Sequence, residues 1–165
     1  MNETRILLAV STSRYSEHLV DLAMSEAGRL ASDGPVSIDV LYILEEEDLQ
    51  HISKRVGDQG FLGLSTTADV MNTLGAEHHR MALLRIDEVK AAAAPQGFSV
   101  SVSEVTGRFV ECVLEQAAAV HYETILITRA DRPFVSRILF GSEADRVARM
   151  VKKEGLGHVI IDEDE

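Results

Sequence analysis

Thr124 to Val147, TILITRADRPFVSRILFGSEADRV, is the stretch whose reading decides the fold. Ile125, Leu126 and Ile127 form a short apolar run of the length and branching that suit a buried strand. A polar loop carrying Arg129, Asp131, Arg132 and Pro133 follows it. A second apolar cluster, Ile138 to Phe140, leads into Gly141-Ser142 and a segment with helical spacing. Ser142 with Asp145 three residues on is close to a capping box. Strand, loop, glycine and helix start, in that order, offer backbone N–H groups to an anion.

Upstream of this unit the chain alternates strand-like and helix-like segments. Arg5 to Val10 (RILLAV) is apolar on both faces, as in a central parallel strand. Ser11-Thr12-Ser13 makes a turn, and Ser16 opens a helix whose apolar stripe is Leu19, Val20, Ala23, Met24, Ala27 and Leu30. Ser32-Asp33-Gly34-Pro35 stops that helix, and Val36 to Leu44 is the second strand. Residues 45–68 are the least regular part and read as a loop insertion with a short helix near Leu49 to Val56. Phe61, Leu62 and Leu64 are expected to pack on their own domain, and the acidic run Glu45 to Asp48 to be solvated.

From Thr67 or Asp69 to about Ala94 the spacing predicts a long helix, with Met71, Leu74, His78, Ala82, Ile86, Val89 and Ala93 on one stripe. Phe98 to Val105 alternates as a strand near an edge does. A helix with Phe109, Val110, Val113, Leu114, Ala117 and Val120 on its apolar side follows the turn at Thr106-Gly107. Beyond the Ser142 helix, which runs to about Lys153, come Gly155, a closing strand at His158 to Ile161, and the acidic tail 162–165. The order β-α-β-α-β-α-β-α-β predicts a five-stranded parallel sheet with helices on both faces, built by right-handed crossovers. Ligands of such sheets sit beyond the C-terminal strand ends, where strand order reverses. With the first and fourth strands adjacent, the Ser11–Ser13 and Thr128–Ser142 loops line one crevice.

Composition narrows the function classes. The 165 residues suit a single domain that buries about 70% of its unfolded surface. A net charge of −11 disfavours non-specific binding to nucleic acid or anionic membranes. No apolar run reaches the ~20 residues of a membrane span, and Ile6 to Val10 is too short for a secretory leader. The single cysteine, Cys112, fits packing in a reducing cytoplasm rather than a disulfide or a nucleophile. The six histidines form no H-x-x-x-H or H-E-x-x-H pair, so no metal site is expected. No G-x-S-x-G elbow marks a nucleophile, and no catalytic residue is assigned. A phosphorelay receiver would need acidic residues where Ser11-Thr12 and Thr106-Gly107 stand.

Along nearly its whole length the chain resembles a universal stress protein domain. The residues that carry the resemblance are ILLAVSTSRYSE from Ile6, TGRFVECVLEQAA from Thr106, ITRADRPFVSRILFGSEADRV from Ile127, and the closing GHVII. The resemblance implies a Rossmann-like, adenine nucleotide alpha hydrolase-like sheet of strand order 3-2-1-4-5. It also implies dimers made through the last strand, here Val159, Ile160 and Ile161, and in one subgroup bound ATP or AMP. Binding members carry G-x-x-G-x(9)-G-[ST] after the fourth strand. Thr128 and Asp131 replace its first two glycines, whereas Gly141 and Ser142 are kept. Ser11 stands where the binding subgroup has an aspartate against adenine, Ser13 keeps a serine, and Gly107 matches a family glycine. Ser11, Ser13, Val40, Gly107, Thr128, Arg129, Asp131, Gly141 and Ser142 are therefore the candidate ligand residues. A β-branched side chain and a carboxylate where a phosphate loop needs glycine oppose ATP bound in the family manner. The expectation is a cytoplasmic, homodimeric stress-response or signalling module with no cofactor and no catalysis. The alternative is an ATP- or AMP-binding member with weak hydrolysis.

Overall fold

A computed structural model of the chain describes residues 2–45, 64–129 and 143–162, with the backbone alone described over 64–74. Among the described residues five strands and four α-helices alternate: β1 (Thr4–Ser11), α1 (Glu17–Leu30), β2 (Val36–Glu45), α2 (Leu64–Ala93), β3 (Ser99–Gly107), α3 (Phe109–Ala119), β4 (Thr124–Thr128), α4 (Glu143–Glu154) and β5 (His158–Asp162). All pairings are parallel, in the order β3-β2-β1-β4-β5, as expected.

β1 is the hub because its side chains are apolar on both faces. Strand residues alternate sides, so Ile6, Leu8 and Val10 pack with Leu19, Ala23 and Ala27 of α1 and Ile86 and Val89 of α2. Leu7 and Ala9 point the other way, into a second core with Phe109 and Val113 of α3 and Val147 and Val151 of α4. Ser11 follows Leu7 and Ala9 onto that second face. β1 pairs with β2 on one edge and β4 on the other, so the crossovers leave its C-terminal end in opposite directions. That divergence opens the crevice.

Local chemistry sets the boundaries. The Ser16 hydroxyl caps α1 by accepting from the Leu19 N–H at 2.9 Å. Gly97 adopts φ 77° after α2, and Gly155 adopts φ 66° after α4, both left-handed stops. The long helix begins at Leu64, so 64–68 is helical rather than part of a loop. β3 runs two residues past its expected end, to Gly107, and is exposed along most of its length, as an edge strand is. The predicted short helix near Leu49 and the packing of Phe61 and Leu62 lie outside the described residues.

A polar knot ties the sheet on the α3/α4 face. Asp39 of β2 accepts from Arg5 Nη2 at 2.5 Å, Ser101 Oγ at 2.6 Å and the Tyr122 hydroxyl at 2.8 Å. Burial and the hydrogen bond to Asp39 push the Tyr122 phenol up to about 12. Three donors offset the desolvation of one buried carboxylate, and they link β1, β2, β3 and the start of β4. Among the described residues, no helix is long and apolar enough to cross a membrane.

Candidate functional site

The crevice begins at the last residue of β1. Ser11 and Arg14 exchange backbone hydrogen bonds at 3.2 Å in each direction, so Thr12 and Ser13 form a tight reversal. The reversal folds Arg14 back against the sheet end on the α3/α4 face. Its guanidinium lies 4.2 Å from the centre of the Phe109 ring, and the residue is only 2% exposed. Burial of this kind needs a counter-charge, and β2 supplies it. Ser11 is level with Ile43 in the β1–β2 register, so Glu45 projects just past the end of β1. Leu41, Ile43 and Glu45 share one face of β2, the face of Ser11.

Glu45 is the centre of the arrangement. Its Oε2 accepts from Ser11 Oγ at 2.5 Å and Ser13 Oγ at 3.0 Å, and Arg14 Nε lies 3.2 Å from both carboxylate oxygens. The residue is 3% exposed. Arg14 Nη2 also meets Glu143 Oε1, on the first residue of α4, at 3.0 Å, as an ion pair rather than an aligned hydrogen bond. One guanidinium thus joins the ends of β1 and β2 to the start of α4.

On the other face α2 fastens the same reversal. Arg85 Nη1 donates to the carbonyls of Ser11 and Thr12, both at 2.9 Å, while its guanidinium lies 4.7 Å from the Tyr15 ring centre. Thr12 Oγ1 lies 3.2 Å from the Tyr42 hydroxyl and 2.9 Å from His78 Nδ1. His78, on the stripe read from the sequence, is thus hydrogen-bonded to the turn. Burial, and then the hydrogen bond to Glu88, raise the Tyr15 phenol above its ordinary range.

The β4 side is built differently. Thr128 is buried and its hydroxyl donates to the Asp162 carbonyl at 3.2 Å, so its side chain is tied to β5. Arg129 pairs with Asp145 in the first turn of α4, at 3.1 and 3.2 Å. Asp162 is 1% exposed and accepts from Ser16 Oγ at 2.5 Å, with His18 Nδ1 also 2.5 Å away, which locks the end of β5 to the start of α1.

The expected site residues therefore separate. Ser11 and Ser13 come together around Glu45. Thr128 and Arg129 lie at the β4 end and are engaged with β5 and α4. Gly107 ends β3 with φ 157°, and a Cβ there would meet Cys112 Sγ at 3.0 Å. Val40 sits in the α1/α2 core, 1% exposed, five residues before the end of β2. Asp131, Gly141 and Ser142 lie outside the described residues. Val159, Ile160 and Ile161 are half-buried on β5, at the sheet edge, and pair with Ile125, Leu126 and Ile127 of β4.

Two residues at the centre of the crevice were not among the expected ones. Glu45 was read as the start of a solvated acidic run, yet it is buried. The signal was available: continuing the alternation of Leu41 and Ile43 puts residue 45 on the inward face. Arg14 carries no such signal, because a lone arginine in a turn is ordinarily solvated.

These elements define a doubly wound α/β domain with a crevice at the strand-order reversal, the place where such folds take ligands. The family model described as Universal stress protein family matches residues 3–154, and the chain belongs to that family. Among solved structures it is similar to the hypothetical protein MJ0577, with TM-score 0.67, 15% identity, and 98% of this chain and 96% of that one covered. It is also similar to a universal stress protein in complex with cAMP, with TM-score 0.55, 17% identity and 98% of each chain covered. A third similar structure is a family protein from Burkholderia pseudomallei, with TM-score 0.52, 14% identity, and 96% and 95% covered. The comparison with curated proteins gives no match.

Proposed function

We propose that this protein is a cytoplasmic, homodimeric stress-response or signalling module that does not bind ATP in the family manner and has no catalytic activity. One observation carries the reading: the donors at the end of β1 are already spent on Glu45. A phosphate oxygen brought within ~4 Å of that carboxylate would meet a repulsion of a few kcal/mol at an effective dielectric near 20. Drawing Arg14 away from Glu45 to meet the phosphate would leave a buried carboxylate short of its partner, at a cost of about 3–5 kcal/mol. Every ~1.4 kcal/mol is tenfold in affinity, so these terms together take a micromolar site to millimolar or weaker. Dimerisation is supported by β5, whose outer edge would otherwise leave backbone groups and apolar side chains open to uncontrolled pairing.

The second reading, an adenine-nucleotide-binding member, is favoured by the similar structure that holds cAMP. Thermal unfolding separates the two. With ATP, AMP or cAMP at millimolar concentration, the midpoint is expected to stay within about 1 °C of the ligand-free value. A ligand at a hundredfold its Kd would add about 2.7 kcal/mol, or roughly 5–10 °C for a domain of this size. A rise of that order would establish the second reading and end the first.

A further inference from the structure

Around Glu45 the geometry resembles a ligand site that has been filled from within. Three donors, the Ser11 and Ser13 hydroxyls and Arg14 Nε, converge on one carboxylate that arrives from a different strand. All three belong to one four-residue turn, and its shape is set by contacts that do not involve Glu45. The Ser11–Arg14 backbone pair closes it, Arg85 holds two of its carbonyls, and Phe109 and Glu143 hold the guanidinium. Donors fixed by other contacts keep their places when the group they bind is removed, and such preorganisation makes a binding site.

We propose that Ser11, Ser13 and Arg14 form a site for a small oxyanion whose occupant is the protein's own Glu45 carboxylate, an autoinhibitory contact that any external anion must displace. The inference rests on the reading of the crevice as self-occupied and goes further, since it assigns the blocked site a ligand chemistry. Two hydroxyls and one guanidinium edge suit a carboxylate or a phosphate oxygen pair. Glu143, on the far side of the guanidinium, limits the charge the site accepts and favours a compact monoanion over a triphosphate.

The test is chemical rescue. Glu45→Ala removes the carboxylate on which the three donors converge. Its unfolding midpoint is expected to rise by several degrees, saturably, as acetate replaces chloride at constant ionic strength. The unaltered protein and Glu45→Gln, which fills the space with an uncharged isostere, are expected not to respond. Adding Arg14→Gln to Glu45→Ala should abolish the rise. Inorganic phosphate run in parallel sets the shape: a response to acetate marks a planar carboxylate site, and a response to phosphate alone a tetrahedral one. The proposal is overturned if Glu45→Ala responds to neither anion, if it gains no folded population at any acetate concentration, or if Glu45→Gln responds equally. The crevice reading fails on a different result, nucleotide uptake by the unaltered protein.

Discussion

Arg14→Ala is expected to cost about 3–5 kcal/mol of folding stability. The residue sits in a turn, where a side chain is ordinarily dispensable, but its guanidinium is enclosed. Removing it takes the guanidinium, within 3.2 Å, away from the buried Glu45 carboxylate. It also strips the face of Phe109 of its cation, an interaction worth ~2 kcal/mol when desolvated. The unfolding midpoint should fall by roughly 10 °C. Arg14→Met combined with Glu45→Leu should recover most of the loss, because the buried charges leave as a pair and apolar volume replaces them. Chemical denaturation of the single and double variants checks both statements. A loss below about 1 kcal/mol for Arg14→Ala would mean the pair is solvated in solution.

Gly157→Ala is expected to cost about 2–5 kcal/mol and to weaken the proposed dimer with it. The residue adopts φ 133°, and a Cβ there would stand 2.6 Å from the Tyr122 carbonyl oxygen. The obstacle is backbone, so no side-chain rotation relieves it. The strained dihedral alone costs on the order of 1–3 kcal/mol, and the clash adds a similar amount. Relief requires β5 to move away from β4, which breaks the approach marked by the 3.1 Å bond from His158 N–H to the Glu123 carbonyl. Because β5 is the proposed interface, sedimentation should show more monomer in the variant than in the parent. Gly28→Ala is the matched control. It lies within α1 with nothing within 4 Å of the added carbon. There the substitution should stabilise by about 0.5–1 kcal/mol. Equal effects at the two glycines would contradict the close packing of β5 on Tyr122.

The fold was legible because its signals are redundant. The apolar run of β1, the helical stripe of α1 and the strand-to-helix unit after β4 each point to the same doubly wound sheet, and a mistake of two residues at β3 changes nothing. The candidate site was legible only in part. Ser11 and Ser13 could be placed at a strand end, because the turn chemistry of Ser-Thr-Ser follows a buried run. What their hydroxyls do depends on Glu45, which arrives from 34 residues away along the chain. A short-range reading sees four acidic residues in a row and assigns them to solvent. Only the inward phase of β2 contradicts that. Arg14 is harder still, since its burial follows from three partners on β2, α3 and α4 that no local pattern connects. Long-range pairing of buried charges is where periodicity carries no information. The tie of the Thr128 hydroxyl to the end of β5 is likewise a long-range contact that no local pattern connects.

The central claim is that the ligand crevice of this universal stress protein family member is occupied by its own Arg14–Glu45 pair. A crystal structure grown from protein with excess ATP tests it most directly. The account predicts Arg14 lying between Phe109 and Glu45, with Ser11 and Ser13 hydrogen-bonded to that carboxylate and no nucleotide at the ends of β1 and β4. Density for ATP in the crevice, with the guanidinium withdrawn from Glu45, would contradict it.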